Sequence, residues 1–332
     1  MRVDLNGIWL MNSPHYHDLE AQVPGSVLST LLAHNLIPDP FWGTCEAEAR
    51  ACLYEDYTFT RTFSMTDEQR KNVNYLFLNG IDTVAEIAIN GVFVTTCRDM
   101  HLRQRVLLDN HILSEQNVIS ISFTSPYRYI REYNDGGLFA SYGLTEPKGP
   151  CIRKAHYMFG WDWGPRLPDA GIFREVSLLY IAKSRFDSVY ITQEHEEGRV
   201  TLDFDVALEL FTEEDNTRIE VIVTDPEGRT YVPAEGADPE DYHIVITDPK
   251  LWWPRGYGEQ PLYQVKLTLF SGDGTVLDTY ERRIGLRTLT VNTDKDEWGE
   301  CFAHEVNGVK IFAMGADYIP EDNLFSRINK ER

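Results

Sequence analysis

Apolar residues recur at every second position through most of this chain, a period that confines it to half-buried strands. In NVISISFTS, Ile119, Ile121 and Phe123 alternate with Ser120 and Ser122. TLDFDVAL repeats the pattern with Leu202, Phe204, Val206 and Leu208, and YQVKLTLF repeats it with Val265, Leu267 and Leu269. Successive strand side chains point to opposite faces, so such segments bury one face and wet the other, as antiparallel sheets do. The dipeptides Asn90-Gly91, Asp273-Gly274 and Asn307-Gly308 accept positive φ and suit tight hairpin turns. Helical signals are few. SVLSTLLAHN offers Val27, Leu28, Leu31 and Leu32 behind Ser26 as N-cap, and is the clearest of them. The fold class is mostly β.

The pattern changes twice along the chain. Residues 1–182 read as one β domain, interrupted at 135–173 by a long stretch rich in Gly, Pro and aromatics such as Phe139, Tyr142, Tyr157 and Phe159. A long loop within a compact sandwich is usually functional or disordered, and this aromatic content argues for function. Residues 183–291 carry shorter, evenly spaced strands that suit an immunoglobulin-like sandwich. Residues 292–332 form a third segment, in which FAHEVNGVKIF leads into AMGADYIPEDNLFSRI. Within it, VKIFAMGA reads as a continuous apolar strand of the kind buried on both faces in parallel sheets. Domains become marginal below about 40 to 60 residues, so this last segment is too short for a core and the chain reads as truncated.

Composition removes several functions. Lys and Arg number 31 against 52 Asp and Glu, a formal charge of −21 that repels phosphate backbones and anionic lipid. Nucleic acid and membrane are therefore not expected as partners. The acidic run Glu194, Glu196, Glu197, Glu209, Glu213, Glu214 and Asp215 reads as a solvated face. Five scattered cysteines, Cys45, Cys52, Cys97, Cys151 and Cys301, have no CxxC spacing, which argues against a disulfide framework or a zinc site and for a reducing compartment. MRVDLNGIW enters a strand pattern directly, with no leader-like apolar region. The expected location is cytoplasmic.

One stretch carries chemistry. FGWDWGPRLPDAGIF, 159–173, sets Trp161 and Trp163 on either side of Asp162 and hems them in with Gly160, Gly164 and Pro165, which no helix interior tolerates. An indole offers a flat face to the C–H side of a pyranose, and an ionised carboxylate accepts two neighbouring hydroxyls at once. The tripeptide therefore suits a sugar clamp. It also suits plain packing, with both indoles folded onto the domain and Asp162 capping local amides, the commoner use of aromatics. Arg153 and Lys154 are expected to pair with acidic neighbours that hold this loop, with sugar contact as the alternative. His15 and His17 share a strand face but lack a third ligand, so no metal site is expected. Trp252 and Trp253 read as fillers of a domain junction, and Asp317 as a polar residue at a strand end, since no second carboxylate stands opposite it.

Four segments carry a family resemblance: AQVPGSVLSTLLAHNLIPDPFWG (21–43), LNGIDTVAEIAINGV (78–92), IRKAHYMFGWDWGPRLPDAGIFREV (152–176) and LWWPRGYGEQPLY (251–263). Together they resemble the β-mannosidases of glycoside hydrolase family two, the superfamily that also holds β-galactosidases and β-glucuronidases. VNGVKIFAMGADYIPEDN, 306–323, is similar to the opening of that family's (β/α)8 barrel. GWDWGP after RKA points to the mannosidase branch, whereas LWWPRGYG and the barrel opening are shared more widely. Ala316-Asp317-Tyr318 stands where the family usually has Gly-Ala-Asn-Trp or close to it, and Phe173 where Trp is commoner.

The resemblance implies a jelly-roll-like, galactose-binding-type β-sandwich at 1–182 and an immunoglobulin-like β-sandwich at 183–291. It implies a truncated start of the barrel at 292–332. It makes Trp161, Asp162 and Trp163 the substrate-binding candidates, with Trp163 divided between sugar contact and ring packing. The implied activity is retaining exo-hydrolysis of terminal β-D-mannose, with β-mannoside oligosaccharides and the missing barrel as partners and no cofactor or metal. The two glutamates, roughly 5 to 5.5 Å apart in such enzymes, would lie on barrel strands past Arg332, so no catalytic residue is expected here and the chain alone is expected to be inactive. The rival expectations are a non-catalytic carbohydrate-binding module and a β-glucuronidase or β-galactosidase relative.

Overall fold

The structure is a computed structural model that describes residues 2–133, 136–137, 146–181, 183–211, 216–234 and 242–328. Phe139, Tyr142, Glu213, Glu214 and Asp215, named above, lie outside the described residues. Two compact units emerge: Met1–Ile181 together with Tyr318–Arg332, and Ala182–Asp317.

The first unit is built on two antiparallel sheets. One has six strands in the order Leu19–Val23, Gly7–Asn12, Tyr57–Ser64, Gln116–Phe123, Ala85–Ile89, Val92–Cys97, and the other runs Arg2–Asp4, Val176–Ile181, Val73–Leu78, Gln104–Leu107. Alternation decides what faces inward. Ile119, Ile121 and Phe123 are buried beside Phe59 and Ile87 of the neighbouring strands, and join Leu76, Leu78, Val176 and Leu178 of the second sheet in one core. Phe59 and Phe123 meet edge to face, their centroids 5.6 Å apart. The Asn90-Gly91 turn has φ of 52° and 78° and joins two strands of the larger sheet. The helix Val27–Ala33 is capped by Ser26, whose side chain accepts from the Ser29 amide while the Ser29 side chain returns to the cap backbone.

The second unit has a three-stranded sheet, Ser184–Glu196, Arg199–Leu210 and His243–Thr247. Its second sheet runs Thr230–Tyr231, Arg218–Thr224, Tyr263–Phe270, Val276–Ile284. Its core draws on Leu202, Phe204, Val265, Leu267 and Leu269, the alternating residues of the sequence pattern. The first two strands run to 13 and 12 residues, longer than expected, because the acidic run pairs in register while Glu194 and Glu196 point to solvent. Trp252 packs on Gly285, where a Cβ would lie 2.9 Å from its ring, and Arg287 covers the ring at 4.6 Å; Trp253 packs on Gly258 in the same way.

The segment 292–332 is shared between the units. A small sheet, Leu289–Asn292, Ala303–Val306 and Val309–Lys310, belongs to the second. The apolar strand expected at 309–316 ends at Lys310, and Phe312, Met314 and Tyr318 are each about three-quarters exposed. A parallel-type strand requires neighbours on both edges, and among the described residues this segment has a strand partner on one edge alone, Ala303–Val306, which it leaves after Lys310. Asp317 lies exposed in it rather than at a strand end. Asp322, Asn323 and Leu324 are buried again, in the first unit.

All five cysteines are free thiols. No described helix is long and apolar enough to cross a membrane.

Candidate functional site

The Trp-Asp-Trp stretch, expected as an irregular loop, forms a short β-hairpin. Phe159–Trp161 pairs with Gly164–Arg166, and Asp162 and Trp163 make the turn. Gly160 has φ of 109°, a backbone that side-chain-bearing residues rarely adopt. Phe159 is buried and anchors the base of the hairpin against Tyr127, edge to face at 6.3 Å. The tip faces water. Trp161 is 54% exposed and Trp163 36% exposed, and Asp162 is exposed with no hydrogen bond or ion pair among the described residues. Asp162 thus caps no amide, and its carboxylate is available to a ligand. Trp163 divides its surface: one part is open and its ring lies 5.3 Å from that of Tyr157, tilted by 39°.

Beneath the hairpin lies a buried polar cluster. The Lys154 side chain is fully buried; its Nζ donates to Asp82 Oδ2 and, at 2.6 Å, to the Asp169 carbonyl. Thr83 donates to the other Asp82 oxygen, and the Asp82–Thr83 peptide is cis. The Leu28 and Ala170 amides donate to Asp169 Oδ1 at 3.1 and 2.9 Å. Burial pushes the Asp169 carboxyl up to about 6, against the pull of these hydrogen bonds and of Lys154. Arg153 reaches Asp99 at 3.1 Å. Both basic residues therefore pair with acids as their sequence suggested, and both acids come from distant parts of the chain.

A returning strap completes the surroundings. Leu324 is wholly buried in the first core, and Asp322 and Asn323 are 2% exposed. Asp322 accepts two hydrogen bonds from Arg327, at 2.7 and 2.8 Å, and one from the Leu324 amide. Asn323 Nδ2 donates to the Pro165 carbonyl of the hairpin at 3.0 Å. Phe325 sits 6.1 Å from the Tyr157 ring and 5.6 Å from Phe173. Burial, with Asp82 and Asp322 nearby, pushes the Tyr157 phenol up to about 12; it stays protonated and donates to the Asp322 carbonyl at 3.4 Å. On the other side the Arg166 amide donates to Glu46, and Arg50 joins Glu146 to Tyr127.

Other candidates stand apart. His15 pairs with Glu55 at 2.5 Å, and no group of three His, Cys, Asp or Glu among the described residues is placed to hold a metal ion. A groove of about 360 Å³ on the larger sheet of the first unit is lined by Ile8, Leu10, Thr60, Arg61, Thr62 and Val118. Its one aromatic neighbour, Trp9, is 1% exposed, so the groove offers a pyranose no open ring face. Asp322 and Asn323 were not legible as neighbours of the hairpin, because they follow it by more than 150 residues and the intervening chain forms another unit.

The chain matches two family profiles, the glycosyl hydrolase 2 galactose-binding domain-like profile over residues 9–174 and that of the glycosyl hydrolases family 2 over residues 184–287. A beta-mannosidase B of Aspergillus fumigatus is 31% identical over 93% of this chain and 37% of its own length. A beta-mannosidase B of Aspergillus terreus is 29% identical, with 94% and 37% covered. The chain thus spans little more than a third of the length of these curated relatives. Among solved structures, a β-D-mannosidase from Dictyoglomus thermophilum superposes with a TM-score of 0.90 and 31% identity, over 100% of this chain and 42% of that one. A β-glucuronidase from Ruminococcus gnavus reaches 0.63 at 16% identity, over 95% and 49%, and shows the fold alone. The first unit is accordingly a galactose-binding-type sandwich and the second the immunoglobulin-like sandwich of this architecture.

Proposed function

The chain belongs to glycosyl hydrolase family 2, and from that premise we propose that it is the N-terminal portion of a retaining exo-β-mannosidase. In this reading the enzyme removes terminal β-D-mannose, and the glutamates that break the bond lie in a barrel outside this chain. The likeness to β-mannosidases from two fungi and a bacterium, at about 30% identity, supports it. One observation carries it: an exposed carboxylate, Asp162, held without a partner among the described residues, between two exposed indoles on an anchored hairpin.

This geometry suits a neutral hexose. The open Trp161 face takes the C–H side of the ring, and the two Asp162 oxygens accept adjacent hydroxyls in charge-assisted bonds. A uronic acid would bring a second carboxylate to the same place, and like charges repel there, which disfavours a β-glucuronidase reading. A free-standing carbohydrate-binding module remains the rival of another class. The five free thiols support a reducing, cytoplasmic setting for the protein.

The test is hydrolysis of aryl β-D-mannoside, β-D-galactoside and β-D-glucuronide by the 332-residue chain and by the full-length gene product. The chain alone is expected to turn over none, and the gene product to prefer the mannoside. Turnover by the chain alone, or preference for another sugar, overturns the proposal. Saturable binding of mannose to the isolated chain in calorimetry, with no hydrolysis by the gene product, selects the binding module instead.

A further inference from the structure

We propose that Asn323 is a positioning residue for recognition of the terminal sugar, acting through the Gly164–Arg166 limb of the hairpin without touching the sugar. This deepens the function proposed above and rests on Asp162 as the sugar-facing group.

The hairpin cannot hold its own pose. It has two paired positions, Phe159 with Arg166 and Trp161 with Gly164, and an isolated two-stranded ribbon is marginal in water. Its orientation must therefore come from ties outside the ribbon. The N-terminal limb has one in Phe159, buried in the core. At the foot of the C-terminal limb the Arg166 amide meets Glu46. Between that foot and the turn, Asn323 is the side chain that bonds the limb's backbone, donating to the Pro165 carbonyl at 3.0 Å. Its Oδ1 lies 3.8 Å from where a Cβ on Gly164 would sit, so the amide spans the two residues that follow the turn.

Asn323 is also unusually well fixed. A side-chain amide at 2% exposure needs a partner, and among the described residues the one it has is this carbonyl. Its neighbours in sequence do not give: Asp322 is gripped by Arg327 and by the Leu324 amide, and Leu324 is locked in the core. Tyr157 closes the arrangement, donating to the Asp322 carbonyl while its ring lies against Trp163. The strap thus meets the hairpin twice, at Pro165 directly and at Trp163 through Tyr157, on either side of Gly164. A displacement of about 1 Å at a substrate contact can cost on the order of a hundredfold in rate, so a tie at this point sets recognition as well as stability.

The experiment compares Asn323→Ala and Asn323→Asp with the wild type. The second keeps the shape and removes the donor. In the 332-residue chain, amide exchange at Trp161 and Gly164 should rise about two- to tenfold, as expected for the loss of one hydrogen bond. Exchange in the core strands Tyr57–Ser64 and Gln116–Phe123 should not change. In the full-length gene product, kcat/KM for an aryl β-D-mannoside should fall about tenfold in Asn323→Asp. The fall should not add to that of Asp162→Ala, because both act through the same carboxylate. Exchange that rises throughout the first unit, exchange that does not rise, or deficits that add in the double variant would each overturn the positioning role. A wild-type gene product that hydrolyses no β-mannoside would overturn the function reading, and the role in recognition with it; exchange would still decide whether Asn323 latches the hairpin.

Discussion

Lys154→Met keeps most of the buried stem and removes only the ammonium. In the folded protein that ammonium is fully buried and its carboxylate partner, Asp82, is 5% exposed by side chain. The variant strands the Asp82 charge in a low-dielectric interior, leaving it the Thr83 hydroxyl. It also takes away the donor that the Asp169 carbonyl uses. Breaking a buried pair from one side costs about 3–5 kcal/mol, whereas replacing both partners by neutral groups costs far less. For a domain of this size that loss lowers the melting temperature by roughly 6–20 °C. The assay is urea unfolding read by amide exchange on Tyr57–Ser64 of the first unit and Tyr263–Phe270 of the second. The loss should fall on the first strand, and Asp82→Asn added to Lys154→Met should recover most of it. A loss below about 1 kcal/mol, or a double variant no better than the single, would refute the reasoning, because it would mean that Asp82 is not left charged and unpaired.

Three further outcomes follow from the packing of the first unit and the hairpin. The Asp169 carboxyl moves from 3.8 to about 6 on folding, so between those values the folded state holds a proton that the unfolded state releases. Its contribution therefore makes the first unit more stable as pH falls, by roughly 3 kcal/mol in full and roughly 1 kcal/mol between pH 7 and pH 5, a difference that urea titrations should show against Asp169→Asn. At Gly171 an added Cβ would lie 2.5 Å from Ser26 Cα and 2.7 Å from the Gly25 carbonyl, so Gly171→Ala should cost the first unit about 1–3 kcal/mol in urea unfolding. Asp162→Ala, at an exposed and unpaired position, should leave stability within about 0.5 kcal/mol while kcat/KM of the full-length gene product falls; a loss of stability would mean the carboxylate has a structural partner.

Local rules made much of the fold legible. The strands 116–123, 199–210 and 263–270 follow from period-two alternation, and the helix 27–33 from Ser26 and the apolar spacing behind it. Long-range closure was not legible. Nothing near Lys154 in sequence names Asp82, 72 residues away, and nothing near Pro165 names Asn323, 158 residues away. A charge or an amide announces that it needs a partner, not which one. The apolar run at 309–316 shows the opposite failure, since hydrophobic content marks a segment fit for burial but supplies no neighbour strand to bury it. At the candidate site, glycines and proline marked Trp161, Asp162 and Trp163 as lying on a shaped loop, but not that the loop closes into a short β-hairpin. The strap that steadies it comes from beyond a whole intervening unit.

That detour has a consequence during synthesis. Leu324 fills part of the first unit's core, yet the ribosome makes it only after all of Ala182–Asp317. At about 5–20 residues per second the wait is on the order of ten seconds. For that interval the nascent first sandwich stands with a gap where Leu324 belongs and with an untethered tip, a natural target for holding chaperones and for proteases.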